Sequence, residues 1–266
     1  MTRAEVIRRN NISFQGDGEQ VLLLSHGFGC DQNMFRFLTP AFKKQYRIIL
    51  FDHVGCGKSD LDAYHFEKYE NLRGYAQDII DICEVLQLKD VIFIGHLVSA
   101  VIGVLAFNLR PYHFSKMVLI CPSPKYTNEN EYHGGFEAQD LEELMEVMEN
   151  NYEGWASFLA PVVMKNEDKP LLVKELEESF KSIDPLITQN FARATFFSDN
   201  RNDLKKLTIP TLILQCQEDS IAPNNVGHYV HKQIKGSTLL EMKATGHCPH
   251  MTHPEETIAA IQSFLS

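Results

Sequence analysis

The chain has 266 residues, 25 Lys and Arg against 35 Asp and Glu, and a net charge of −10. That balance excludes the basic footprint of a nucleic-acid binder or a membrane-surface protein, and 44% hydrophobic with 10% aromatic residues excludes a disordered chain. No apolar run approaches the ~18 residues of a membrane span, the N-terminal segment holds no apolar leader core, and none of Cys30, Cys56, Cys83, Cys121, Cys216 and Cys248 pairs as C-x-x-C, so we expect a cytoplasmic globular protein with buried, reduced thiols.

Continuous apolar runs at Val21–Ser25, Arg47–Asp52, Val91–Gly95, Met117–Ile120 and Thr211–Gln215 read as strands covered on both faces. Amphipathic segments lie between them. In one, Ala76, Ile79, Ile80, Cys83 and Leu86 recur at helical spacing, with Asp78, Asp81 and Glu84 on the other face. Alternating strands and helices predict an α/β chain, doubly wound around a mostly parallel sheet with helices on both faces. Residues 124–200 break the rhythm. They hold no strand pattern and predict four helices, Ala138–Asn150, Glu153–Pro161, Lys169–Ser182 and Pro185–Phe197, rich in Tyr, Trp and Phe. We expect a core of residues 1–123 and 201–266, and a helical lid of 124–200 over an apolar pocket.

The third run ends in Gly95-His96-Leu97-Val98-Ser99-Ala100, and an apolar helix follows. A strand, a sharp turn with small neighbours and a helix form a nucleophile elbow, whose usual pattern is G-x-S-x-G. Here the central position is Leu97, which has no nucleophilic atom. Ser99 lies two residues into the helix, rotated by roughly 200°, and reads as a small packing residue rather than a replacement. The remaining parts of a hydrolytic site are in place. Ser25-His26-Gly27-Phe28-Gly29 follows the first run, where an oxyanion loop belongs, its Phe28 N–H joining that of Val98. Asp219 follows the fifth run as the acid that orients an imidazole, with Glu218 as its competitor. His247 precedes the last amphipathic helix as the general base. The chain order of elbow, acid and histidine fits.

Other readings are weaker. In His247-x-x-His250-x-x-His253 the three histidines share no helical face well, and Pro249 and Pro254 interrupt the segment, so no metal is expected. His228 and His231 read as a solvent-facing pair. Gly55-x-Gly57-Lys58-Ser59 would need glycine in place of Asp52 to make a phosphate loop. Leu97 is not the aspartate that a dehalogenase or epoxide hydrolase would place at the elbow. No cofactor is implied.

The strings Ser25–Gln32, Leu50–Gly57, the elbow, Gly134-Gly135-Phe136 and Gly246–His250 together resemble α/β-hydrolases of the RsbQ type, over essentially the whole chain. The plant karrikin and strigolactone receptors are similar in fold and motifs. The resemblance implies a Ser-His-Asp hydrolase with a four-helix lid over a small apolar cavity, acting on a small hydrophobic ester- or lactone-like molecule in stress signalling. It implies activation of a partner phosphatase that carries a PAS domain and controls a sigma factor. It assigns Asp219 and His247 to the triad, Phe28 and Val98 to the oxyanion hole, and Phe28, Phe136, Trp155, Leu159 and Phe196 to the pocket wall. Leu97 departs from the family serine, so we expect this chain to be catalytically inactive. The alternative is a non-catalytic binding protein that uses the same pocket.

Overall fold

A computed structural model describes residues 1–266. Its strands are β1 (Ser13–Gln15), β2 (Gln20–Ser25), β3 (Tyr46–Phe51), β4 (Val91–His96), β5 (Phe114–Ile120), β6 (Thr211–Glu218) and β7 (Thr238–Thr245). They form one sheet in the order β1-β3-β2-β4-β5-β6-β7, with only β1 antiparallel to its neighbour. The helices are α1 (Arg3–Arg9), α2 (Thr39–Phe42), α3 (Leu72–Val85), α4 (Val98–Leu109), α5 (Ala138–Asn150), α6 (Tyr152–Met164), α7 (Pro170–Ser182), α8 (Pro185–Phe196), α9 (Arg201–Leu204), α10 (Asn224–Gln233), α11 (Pro249–Thr252) and α12 (Pro254–Leu265). No helix is long and apolar enough to cross a membrane.

The five strands anticipated from apolar runs are all present. β4, the central strand that leads to the elbow, is buried along its whole length, which is why it reads as an uninterrupted apolar string. The two unanticipated strands are the edges. β1 has three residues and is largely exposed, and β7 alternates irregularly between exposed and buried positions. An edge strand half in water carries no apolar run. Four helices occupy residues 138–196, between β5 and β6, as anticipated. α6 runs one turn further than the spacing suggested, with Pro161 inside it, and ends at Lys165 in a left-handed conformation (φ 48°). The carbonyl that Pro161 leaves without its helical donor is that of Ser157, an exposed residue.

Close approach of helix and strand sets the elbow. A Cβ added at Gly95 would come within 2.6 Å of the Ser99 carbonyl oxygen, so only glycine lets α4 pack this tightly on β4. All six cysteines are buried and unpaired, with the sulfurs of Cys121, just after β5, and Cys216, on β6, 3.6 Å apart.

Candidate active site

Leu97 stands between β4 and α4 at φ 55°, ψ −121°, a backbone conformation that L residues rarely adopt. Holding a non-glycine residue there costs about 1–3 kcal/mol, which the surrounding packing must impose. The Leu97 N–H donates to the Ile120 carbonyl at 2.9 Å, and the side chain is buried. The elbow geometry is thus retained around an aliphatic side chain.

His247 and Asp219 come together from the neighbouring loops that follow β7 and β6. The Nδ1–H of His247 donates to Asp219 Oδ2 at 2.6 Å, and both side chains are wholly buried. The other carboxylate oxygen, Oδ1, accepts from the N–H groups of Ile221 (2.8 Å) and Ala222 (3.0 Å). These bonds hold the carboxylate still and fix which imidazole nitrogen carries the proton. Glu218, the competing acid, points to solvent and pairs with Lys165 at 2.8 Å. The His247 N–H donates to the Val163 carbonyl on α6 at 2.8 Å, which ties this loop to the helical insertion. Nε2 of His247, the lone-pair nitrogen, is buried with no hydrogen-bond partner. At Leu97 there is no hydroxyl to fill that role.

The loop after β2 abuts the elbow: a Cβ on Gly27 would come within 2.5 Å of His96 Nδ1 and 3.3 Å of Leu97 Cβ. Neither the Phe28 N–H nor the Val98 N–H donates to any protein acceptor. Val98 is also the first residue of α4, whose dipole favours negative charge at that end. Two free donors beside an elbow are what an oxyanion hole requires.

A clasp unseen in the sequence locks these two loops. Ser99, wholly buried, donates to the His26 carbonyl and accepts from His53 Nε2 (2.7 Å) and Ser25 Oγ (2.9 Å). His53 N–H donates to His26 Nε2 at 3.0 Å, and His26 Nδ1–H to the Gly27 carbonyl at 2.8 Å. Ser99 is therefore a packing residue, as expected, and also a polar tie between elbow helix and oxyanion loop. Burial holds both imidazoles well toward the neutral form, His53 most strongly. Ser99→Ala leaves His53 Nε2 with only the longer, 3.2 Å contact to Ser25 Oγ. It is expected to cost about 1–3 kcal/mol in urea unfolding at neutral pH.

Above Leu97 lies a closed apolar chamber that offers about 20 Å³ to the centre of a water molecule. Of the residues named from the sequence, Phe28, Leu159 and Phe196 line it, together with Leu97. Phe136 and Trp155 do not. Phe136 is fixed by backbone bonds to Tyr126 and Asn128, and Trp155 is fully buried behind Phe28, its ring edge-on at 6.2 Å. Aromatic content signalled burial without giving direction. The sequence reading missed Val163, Leu176, Phe180, Ile221, Cys30, Cys248 and His96 in the wall. Leu176 and Phe180, four apart on one face of α7, carried a usable helical signal.

His250 is buried with both nitrogens unpartnered, packed between the rings of Phe35 (5.3 Å) and His96 (4.5 Å), and burial pushes it down to about 3. His253 sits at the half-buried end of α11, Nδ1 3.0 Å from Thr252 Oγ1. His228 and His231 are exposed, and His228 pairs with Glu241 at 3.0 Å. Cys121, Asp219 and His247 bring ligating atoms within 4.8 Å of one another, but Asp219 and His247 are already engaged with each other.

Comparison with known proteins agrees with this geometry. Residues 21–260 match the model of the alpha/beta hydrolase family. The chain is 36% identical to Karrikin insensitive 2 receptor CA of Petunia hybrida, covering 95% of this chain and 94% of that protein. It is 34% identical to a strigolactone esterase of Arabidopsis thaliana, covering 96% of each. A solved structure of a hydrolase from Oleispira antarctica superposes with a TM-score of 0.97 at 43% identity, over 100% of this chain and 97% of that one. The protein belongs to the α/β hydrolase family.

Proposed function

We propose that this chain binds a small hydrophobic ester- or lactone-like molecule in the chamber above Leu97, with residues 124–200 acting as a lid, and does not turn it over by a covalent route. In this reading Asp219 and His247 are the acid and base of a serine-hydrolase triad, and Leu97 occupies the nucleophile's place. The N–H groups of Phe28 and Val98 are the oxyanion hole. Phe28, Leu159 and Phe196 grip the ligand's apolar body, and Trp155 backs Phe28. The unpartnered His247 Nε2, together with an aliphatic residue at the elbow, carries the proposal. A base without a hydroxyl or thiol to deprotonate cannot start acyl transfer to the protein.

The finer reading places the chain among the RsbQ-type regulators. It would act in the cytoplasm in stress signalling, by way of a phosphatase with a PAS domain that controls a sigma factor. The motif strings Ser25–Gln32, Leu50–Gly57 and Gly246–His250 support that assignment. A second reading keeps the chain as a hydrolase of the same molecules. The two free oxyanion donors favour it, since such donors and binding alone leave about 10³–10⁴-fold over water when a triad member is lost.

The chamber as it stands holds about one water, so a ligand enters only as the insertion opens. Binding is expected to raise Tm. Titration with γ-butyrolactone and phenyl acetate, followed by thermal unfolding, checks it. Saturation at about 100 times Kd adds about 2.7 kcal/mol of stability, a shift of several degrees in a chain of this size. Absence of any shift at saturating solubility for either compound would sink the binding reading.

A further inference from the structure

One layer of side chains separates the chamber above Leu97 from a surface cleft of about 270 Å³ between α7 and the turn at Cys30–Phe35. Cys30 and Leu176 form that layer. Each lines both spaces, and each is buried. A larger cleft of about 560 Å³ between α6 and α7 shares no lining residue with the chamber. Size alone would favour the larger cleft, but adjacency favours the smaller.

At the smaller cleft α7 is tethered lightly. Ser179 Oγ donates to the Gly29 carbonyl at 2.7 Å, and Arg36 pairs with Glu175 at 2.6 Å with both side chains partly exposed. Ion pairs in such positions are worth about 0–1 kcal/mol, so they guide the helix without locking it. Asp31, Glu175 and Glu178 line the cleft; Arg36 pairs with Glu175 and Lys174 with Glu178 at 3.6 Å, which leaves Asp31 as the carboxylate without an ion partner. In a chain of net charge −10 that one unpaired carboxylate gives the mouth a negative bias.

We propose that this cleft is the portal to the chamber, that Leu176 is its gate, and that its carboxylates admit neutral and cationic molecules in preference to anionic ones. The proposal deepens the binding reading above and rests on the chamber being the ligand site. An apolar body passes when the Leu176 side chain swings aside, and a polar, uncharged or cationic tail remains in the cleft. The ligand class is thus narrowed to small apolar esters or lactones without a carboxylate.

Cys248 lines the chamber and not the cleft, so its modification reports passage. Methyl methanethiosulfonate, small and neutral, is the reagent, with peptide mass spectrometry as the readout. Cys83, buried in α3, is the internal control for global opening. Leu176→Ala is expected to raise the Cys248 rate about tenfold with Cys83 unchanged, as opening of the gate alone becomes easier. Leu176→Trp is expected to lower it, and Val173→Trp, which fills the larger cleft, to leave it unmoved. At low ionic strength the trimethylammonium reagent of this series should outpace the sulfonate reagent at Cys248, and added salt should close the gap. The portal is overturned if Leu176→Ala leaves Cys248 unmoved or speeds Cys83 equally, or if Val173→Trp slows Cys248. The charge preference is overturned if the sulfonate reagent is as fast. A lactone that fails to raise Tm even in Leu176→Ala, while Cys248 still responds to the gate, refutes the chamber reading and leaves the portal standing.

Discussion

Replacing Leu97 with serine is expected to raise p-nitrophenyl acetate hydrolysis by at least about 10³-fold over the native chain, because in the proposed reading the nucleophile is the one member that the Asp219–His247 pair lacks. The scaffold needs no other change. The elbow already holds residue 97 at φ 55°, the imidazole is already oriented by a carboxylate with two backbone donors, and its Nε2 awaits a partner. Serine removes an apolar side chain from the chamber floor, so a lower Tm is expected alongside the gain in rate, by about 2–5 kcal/mol of lost packing. The gain should vanish in Leu97→Ser with His247→Ala, and mass spectrometry should find an acetyl group on residue 97 of the single variant. A native chain that already forms an acyl adduct on any residue would show that the elbow is wrongly assigned. The chamber thiols Cys30 and Cys248 are the alternative acceptors to check, although burial raises both well above the usual thiol range. If Leu97→Ser stays inert while γ-butyrolactone still shifts its Tm, the scaffold is a receptor whose remaining machinery has drifted from chemistry.

The parts of this molecule that read plainly from sequence are those where one physical rule acts alone. β4, the elbow and α4 are legible because a strand buried along its length must be apolar, and the turn that follows needs small residues at Gly95 and Ser99. Asp219 and His247 are legible because strand ends in this topology place side chains over the sheet. β7 is not, since its faces are half in water. The Ser99–His53 clasp joins residues 46 positions apart, and no local pattern marks it. Little of the chamber wall is legible: aromatic abundance in residues 124–200 indicates a packed insertion, but only the fold shows that Phe196 faces the chamber and Trp155 stands behind Phe28. The cost of Leu97 itself is visible in one residue and its consequence only in three dimensions, where His247 Nε2 is left unsatisfied.

Acid should destabilise this fold well before its carboxylates titrate. His26, His53, His96 and His250 are buried, and burial depresses all four; neighbouring imidazoles push His96 and His250 further down, and Asp52 only partly restores His26. A histidine depressed in the folded state binds fewer protons there than in the unfolded chain, where its value is about 6.5. Its contribution is therefore intact above that value and lost as pH falls toward the folded value, which for His250 is about 3. Between pH 7.5 and 5 that loss amounts to about 2 kcal/mol for His250, and the other three buried histidines act in the same direction. Asp78, raised by burial against the pull of Arg9 and Lys68, acts in the opposite sense. Urea unfolding at the two pH values tests the sum. His250→Asn isolates one member: both of its ring nitrogens are unpartnered, so the variant loses packing but no hydrogen bond. Whatever it costs at pH 7.5, its deficit against the native chain should shrink by about 2 kcal/mol at pH 5, because the unfolded chain has one proton fewer to gain. A deficit that stays constant with pH would mean that His250 takes up its proton as readily in the folded state as in the unfolded chain, and would overturn this account of its burial.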